Sequence, residues 1–327
     1  MIWNTLGAMH RTAAFLLAVV LFSPAAVAQQ ASTQRNIIAE VRGLIAKDDF
    51  AGAEKTLRAF VTEKGVTPEA LEALSWLGRG NLAKKNLDEA NRFATEAYGL
   101  SLEALKTRKM DDEPRLPIAI GAAIEVQAHV MAQKGGRSDA VYFLQNELDD
   151  YKDTSIRTRI QKNIHVLSLE GQPAPAYNVS EYVGATKPPT LASLRGKPVM
   201  LFLWAHWCGD CKSMAGALAE LQAAYKDKGF TIVAPTQRYG YVAKRAPADP
   251  QTEVAYIAQI AKEFYGNVEW TVPVNNESFA NYGTSTTPTI VLIDRQGVVK
   301  LYHPGQMTRA ELEPHIKRLI EGKTTNH

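Results

Sequence analysis

The sequence predicts an α/β domain with a mixed sheet, preceded by an all-helical region. Three observations carry that reading. Between residues 36 and 169 apolar residues recur at three- and four-residue intervals, the period of an amphipathic helix. Around 168–189 the composition changes, with Gly171, Pro173, Pro175, Gly184, Pro188 and Pro189 marking irregular backbone and a boundary. Beyond it, short apolar runs alternate with helical patterns and end in a hairpin and a helix, which is the order of an α/β fold. At 327 residues the chain is long enough for about two domains. The expected division is 1–28 as an export signal, 29–169 as the helical domain and 170–327 as the α/β domain.

In the helical half Leu71, Leu74, Leu77 and Leu82 form one stripe, and proline is confined to connecting segments at Pro68 and Pro114 to Pro117. A helix pair is expected from Leu74, Leu77 and Gly78, then Asn86 to Ala90, then Ala94 and Ala97. Asp49 to Ala53 with Leu57 and Phe60 predicts an earlier unit, and Gly135 to Ala140 with Leu144 a later one. These segments resemble tetratricopeptide repeats, in which small residues let antiparallel helices approach closely. Ala53, Ala90 and Ala140 are unequally spaced, so the repeats are irregular, and a plain helical bundle is the alternative.

In the second half the run at 198–204 reads as a central buried strand, and 208–228 as a helix with Met214, Leu218, Leu221 and Tyr225 on one face. A second strand is expected at 230–234, a helix at 253–264 and a short strand at 268–274. Strands at 289–293 and 298–302 are joined by Asp294-Arg295-Gln296-Gly297, a turn whose glycine tolerates positive φ. A helix over 308–321 closes the fold.

Charge excludes one class of function. With 37 basic and 34 acidic residues the formal net charge is +3, which gives no case for nucleic acid as the main partner. The N-terminus reads as an export signal: Arg11 ends a basic stretch, 12–22 is apolar, Ser23-Pro24 breaks it, and Ala26-Val27-Ala28 supplies a cleavage site. The apolar run falls short of the roughly 20 residues needed to span a bilayer. An uncleaved anchor is the alternative. A periplasmic or secreted location follows, in which disulfides can form.

The chain has two cysteines, set as Trp207-Cys208-Gly209-Asp210-Cys211. Two thiols at C-x-x-C spacing can close and reopen a small ring, so one site carries two electrons. A single pair closing so short a loop removes little unfolded-state entropy, which argues for chemistry over stapling. A zinc site is disfavoured, since two cysteines supply half of a tetrahedral set and no second C-x-x-C or H-x-x-H exists. Cys208 would begin a helix, where unsatisfied N–H groups favour the thiolate and bring a thiol pKa from about 8.5 toward neutrality or below.

The stretch from Lys197 through Trp204-Ala205-His206-Trp207 to Cys211 resembles the active-site strand and helix of the thioredoxin superfamily. Gly171-Gln172-Pro173-Ala174-Pro175 and Leu194-Arg195-Gly196-Lys197 are similar to the lead-in of its exported TlpA/ResA-like branch, and Thr286-Thr287-Pro288-Thr289 to its proline loop. The resemblance covers about 171–322. It implies a thioredoxin fold and a thiol-disulfide oxidoreductase, with the redox-active disulfide Cys208–Cys211 in place of a cofactor. Cys208 is then the nucleophile and Cys211 the resolving thiol. Pro288 follows a cis bond, Thr287 offers backbone groups to an extended substrate, and Trp207 is a docking wall. Partners implied are a protein thiol or disulfide substrate, an upstream electron donor at the membrane, and a peptide or helix held by the helical half.

Three departures bear on redox tuning. Asp210 stands where proline is common after Gly209, and its charge opposes the thiolate unless solvent screens it. His206 either favours the thiolate when protonated or is an exposed bystander. Phe202 occupies the strand position where thioredoxins keep a buried acid. Two other functions compete. A peroxiredoxin-like thiol peroxidase needs P-x-x-x-T-x-x-C, which Leu203 to Trp207 do not provide. A binding module would use the helical half for recruitment and the α/β half as a passive scaffold.

Overall fold

A computed structural model describes residues 36–322. The export signal expected at 1–28 and residues 323–327 lie outside them. No helix among the described residues is long and apolar enough to cross a membrane.

The helical half is built from three α-hairpins and a single helix. α1 (Ile37–Ile45) pairs with α2 (Phe50–Lys64), α3 (Pro68–Ala83) with α4 (Leu87–Leu105), and α5 (Leu116–Gln133) with α6 (Arg137–Asp150). α7 (Arg157–Ser168) follows. The same turn closes each hairpin. Asp48, Lys85 and Gly135 adopt positive φ, at 60°, 62° and 97°. The next amide reaches back to a carbonyl five residues earlier: Asp49 to Leu44 at 3.0 Å, Asn86 to Asn81 at 2.9 Å and Gly136 to Met131 at 3.0 Å. This is the 6→1 bond that closes a helix through a left-handed residue. Ala53, Ala90 and Ala140 then take the fourth position of the second helix and are fully buried. The absence of a longer side chain there is what lets paired helices touch. The repeating unit is therefore regular in geometry although its spacing along the chain is not.

The second half holds a six-stranded mixed sheet. The strands are β1 (Tyr182–Val183), β2 (Val199–Leu203), β3 (Thr231–Val233), β4 (Trp270–Pro273), β5 (Thr289–Ile293) and β6 (Val299–Pro304), in the order β1-β4-β3-β2-β5-β6. β2, β3 and β4 run parallel, β5 runs antiparallel to β2, and β6 runs antiparallel to β5 and so in the direction of β2. Helices α8 (Gly209–Ser213), α9 (Ala215–Tyr225), α10 (Pro250–Tyr265), α11 (Asn276–Asn281) and α12 (Arg309–Glu321) flank it. The single helix expected at 208–228 is broken at Met214 into α8 and α9. β1 and α11 were not legible as elements.

β2 alternates across two cores, as side chains on a strand must. Met200 and Phe202 face the layer that contains Cys208, Cys211, Leu218 and Ile316. Val199, Leu201 and Leu203 face the opposite layer, with Leu169, Phe279 and Tyr282. The helical half joins on that second side. His165 of α7 lies 2.7 Å from the Asn281 carbonyl and packs edge-on against Tyr302. Arg157 pairs with Glu277 at 3.0 Å. Gly283, at φ 61°, seats so closely on α7 that a Cβ there would stand 2.3 Å from the Lys162 nitrogen.

Candidate active site

Strand pairing assembles the site. The antiparallel register of β2 and β5 places Leu203 opposite Thr289. The chain leaving β2 therefore meets the chain entering β5. The exit from β2 is pinned by Trp204, whose indole N–H donates to the Ala234 carbonyl at 3.1 Å, and by Thr236, whose hydroxyl donates to the Trp204 carbonyl at 2.8 Å. Trp204 is fully buried, as expected of a core residue.

Cys208 is the N-cap of α8, with extended backbone at φ −75° and ψ 113°. The Cys211 amide donates to Cys208 Sγ at 3.0 Å, so the sulfur occupies the position of a capping oxygen. The two cysteines are joined as a disulfide. Cys211 is fully buried and Cys208 is 3% exposed. Trp207, 49% exposed, stands at the rim. Across the cleft the Thr287–Pro288 bond is cis, as expected, and the Thr287 carbonyl oxygen lies 3.4 Å from Cys208 Sγ. Gly209 and Asp210 are exposed at the start of α8, so water surrounds the Asp210 carboxylate.

His206 is not an exposed bystander. Its side chain is 1% exposed and its Nε2 lies 3.1 Å from Glu253 Oε1. Tyr239, Tyr241 and Tyr256 surround the imidazole edge-on, with ring centroids 5.3 to 5.5 Å away. Burial holds the imidazole pKa below its ordinary value, against the opposing pull of Glu253. The ring is buried because three aromatic side chains close over it, which no local pattern around residue 206 announces.

Glu253 was missed as a site residue. Its carboxylate accepts the Tyr239 amide at 2.6 Å and the Gly240 amide at 2.8 Å, in addition to His206. Tyr239 in turn stands edge-on against Trp207, with centroids 5.4 Å apart. One buried carboxylate thus ties the segment after β3 to the residues directly before Cys208. A signal existed: Glu253 falls in phase with Ile257, Ile260 and Ala261 on the buried stripe of α10. A carboxylate on an apolar stripe must have partners to be stable there.

Phe202 is fully buried and stacks on Trp270 at 6.2 Å, so no acid stands at that point of the strand. Among the described residues, no group of three or more His, Cys, Asp and Glu is placed to hold a metal ion. Among the described residues, the core layer around the cysteines contains none of the helical half.

Known proteins resemble this part of the chain. The redoxin family model matches residues 169–319. The thiol-disulfide oxidoreductase ResA of Bacillus thuringiensis strain Al Hakam is 30% identical over 153 residues, which is 46% of this chain and 78% of that protein. The thioredoxin-like protein YneN of Bacillus subtilis is 28% identical over 150 residues, 45% of this chain and 78% of its own length. A thiol:disulfide interchange protein from Chlorobium tepidum, solved as a crystal structure, is 23% identical and aligns with a TM-score of 0.36 over 45% of this chain and 95% of that one. The capped cysteine pair, the facing proline loop and the 30% identity to ResA over 78% of its length agree: the chain belongs to the thioredoxin superfamily, among its ResA-like thiol-disulfide oxidoreductases.

Proposed function

We propose that this protein is an exported reductase of protein disulfides, with Cys208 as nucleophile and Cys211 as resolving thiol. The observation that carries the reading is the cap itself. Cys208 Sγ receives the Cys211 amide at 3.0 Å and faces the Thr287 carbonyl at 3.4 Å. When the pair is reduced, the amides that open α8 stabilise a thiolate at that place. The Cys208 thiolate attacks one sulfur of a substrate disulfide, and the other leaves as a thiolate. Cys211, once deprotonated, attacks Cys208 Sγ and expels the second substrate thiolate. Both substrate sulfurs take protons from water, and the enzyme ends with the Cys208–Cys211 disulfide. An upstream dithiol donor at the membrane then returns the two electrons.

Trp207 supplies an apolar wall and Thr287 the backbone groups for an extended substrate. Asp210, Gly209 and His206 tune the potential. The apolar segment and cleavage site before Gln29 support export to the periplasm or the exterior. The hairpin turns shared by α1–α6 support a tetratricopeptide-like region over 29–169 that meets a partner, and 170–327 as the catalytic domain. The decisive measurement is the midpoint potential of the pair, titrated against glutathione and dithiothreitol couples. A potential well below that of glutathione supports a reductase. A potential as high as that of strong oxidants would reverse the direction of electron flow.

A further inference from the structure

The helical half carries more positive charge on one face than it neutralises. α1, α3, α5 and α7 pack side by side in that order. Arg42 of α1 and Arg79 of α3 clasp the Trp76 ring, with guanidinium carbons 4.3 and 4.2 Å from its centroid. Next to them Glu125 of α5 binds two cations of α7, Arg159 at 3.1 Å and Lys162 at 2.7 Å. Burial alone would raise the Glu125 carboxyl, yet Arg159 and Lys162 hold it well below the ordinary carboxylate range. That carboxylate is fully committed.

Arg79 feels the positive charge of Arg159 and Arg42 and the negative charge of Glu125 and Glu72. Glu72 is itself held by Arg115 at 3.0 Å. Among the described residues, neither Arg42 nor Arg79 has a carboxylate in ion-pair contact, and the Trp76 indole N–H has no acceptor. Burial, and then its cationic neighbours, lower the Arg79 pKa from the usual guanidinium value. A partly buried guanidinium among like charges calls for an anion.

We propose that this face binds an acidic, extended polypeptide segment through Arg42 and Arg79, with the Trp76 ring between them holding the two guanidinium groups in place. A carboxylate matches the planar guanidinium fork in a bidentate pair. A nucleic-acid backbone fits less well, because Glu125 stands among the cations and repels a dense row of phosphates. The binding does not rest on the cysteine chemistry, so it is tested independently of redox activity.

The test uses the full chain with the disulfide intact and a dye-labelled hexaglutamate peptide, followed by fluorescence anisotropy. Hexaglutamine and inorganic phosphate are the controls. Saturable binding of hexaglutamate is expected, weakened about ten-fold or more in Arg79→Gln and in Arg42→Gln, and weakened by added salt. Arg309→Gln, on α12 of the other half, controls for net charge and is expected to bind as the parent does. Arg42 is exposed, so its variant keeps the test open should Arg79→Gln fold poorly. No saturable binding, equal binding by folded Arg42→Gln, binding of hexaglutamine as tight as hexaglutamate, or full competition by phosphate at equal concentration of charge overturns the proposal.

Discussion

Glu253 and His206 meet at 3.1 Å although 47 residues separate them, and each side chain is only 1% exposed. The same carboxylate takes two backbone amides from the segment that carries Tyr239. Removing it leaves the Tyr239 and Gly240 donors and the imidazole without their partner. Glu253→Ala is expected to lower stability by about 3 kcal/mol or more, since it strands three donors at about 1 to 3 kcal/mol each. Glu253→Gln keeps one acceptor and should lose less. Chemical denaturation of the oxidised protein measures both, and equal stability of Glu253→Ala and the parent would contradict the assignment.

Acid should destabilise the protein through its buried histidines. His165, His206 and His315 all have pKa values held below the ordinary 6.5, chiefly by burial. The unfolded chain therefore binds protons that the folded one refuses. The stability contributed by neutral histidine is complete above about pH 6.5 and is lost as pH falls from there through the folded-state pKa values. Melting temperatures between pH 7.5 and 5 should fall, and less steeply in His165→Asn than in the parent. A flat profile would rule this linkage out.

The cysteine roles predict an asymmetric pair of variants. In Cys211→Ala the resolving attack is missing, so a mixed disulfide through Cys208 should accumulate on a protein substrate. Cys208→Ala should fall to background turnover. Mass spectrometry of the trapped adduct identifies the sulfur, and turnover retained by Cys208→Ala would reverse the roles.

Gly283 predicts a test of the contact between the halves. A Cβ there meets the Lys162 backbone at 2.3 Å, in a backbone region that other residues adopt with strain. Gly283→Ala should cost about 2 kcal/mol or more. A thermal melt unchanged from the parent would mean that α7 yields freely at this point.

A fragment of 170–322 should still reduce a small disulfide, because among the described residues the cysteine layer contains none of the helical half. It should melt at a lower temperature than the full chain, since it loses Leu169 from the opposite core layer and uncovers Tyr302. Its activity on a protein partner should drop further than its activity on the small disulfide. An inert, folded fragment would make the helices an integral part of the enzyme.

What was legible in the sequence followed from local chemistry. The C-x-x-C spacing, Thr287-Pro288 and the apolar run of β2 are each contained in a few residues. The hairpin turns were legible in part, since Asp49 and Ala53 mark one unit while Lys85 conceals the left-handed position that Gly135 advertises. The burial of His206 was not legible because its surroundings come from Tyr239, Tyr241, Tyr256 and Glu253, all distant in the chain. β1 escaped notice because two residues carry no periodicity, and its pairing with β4 is decided by tertiary contact.

The seating of Gly283 on α7 also acts as a ruler. The helical array packs, through α7, on the sheet layer that faces away from Cys208, so its cationic face joins the molecule on the side opposite the sulfur. A partner gripped there gains local concentration at the thiol only if its disulfide lies far enough along the chain to reach around the sheet. Short peptides bound by the helices would gain nothing. With the proposed binding at that face, the architecture would select clients by the length between two features of their sequence, a criterion that neither surface could impose alone.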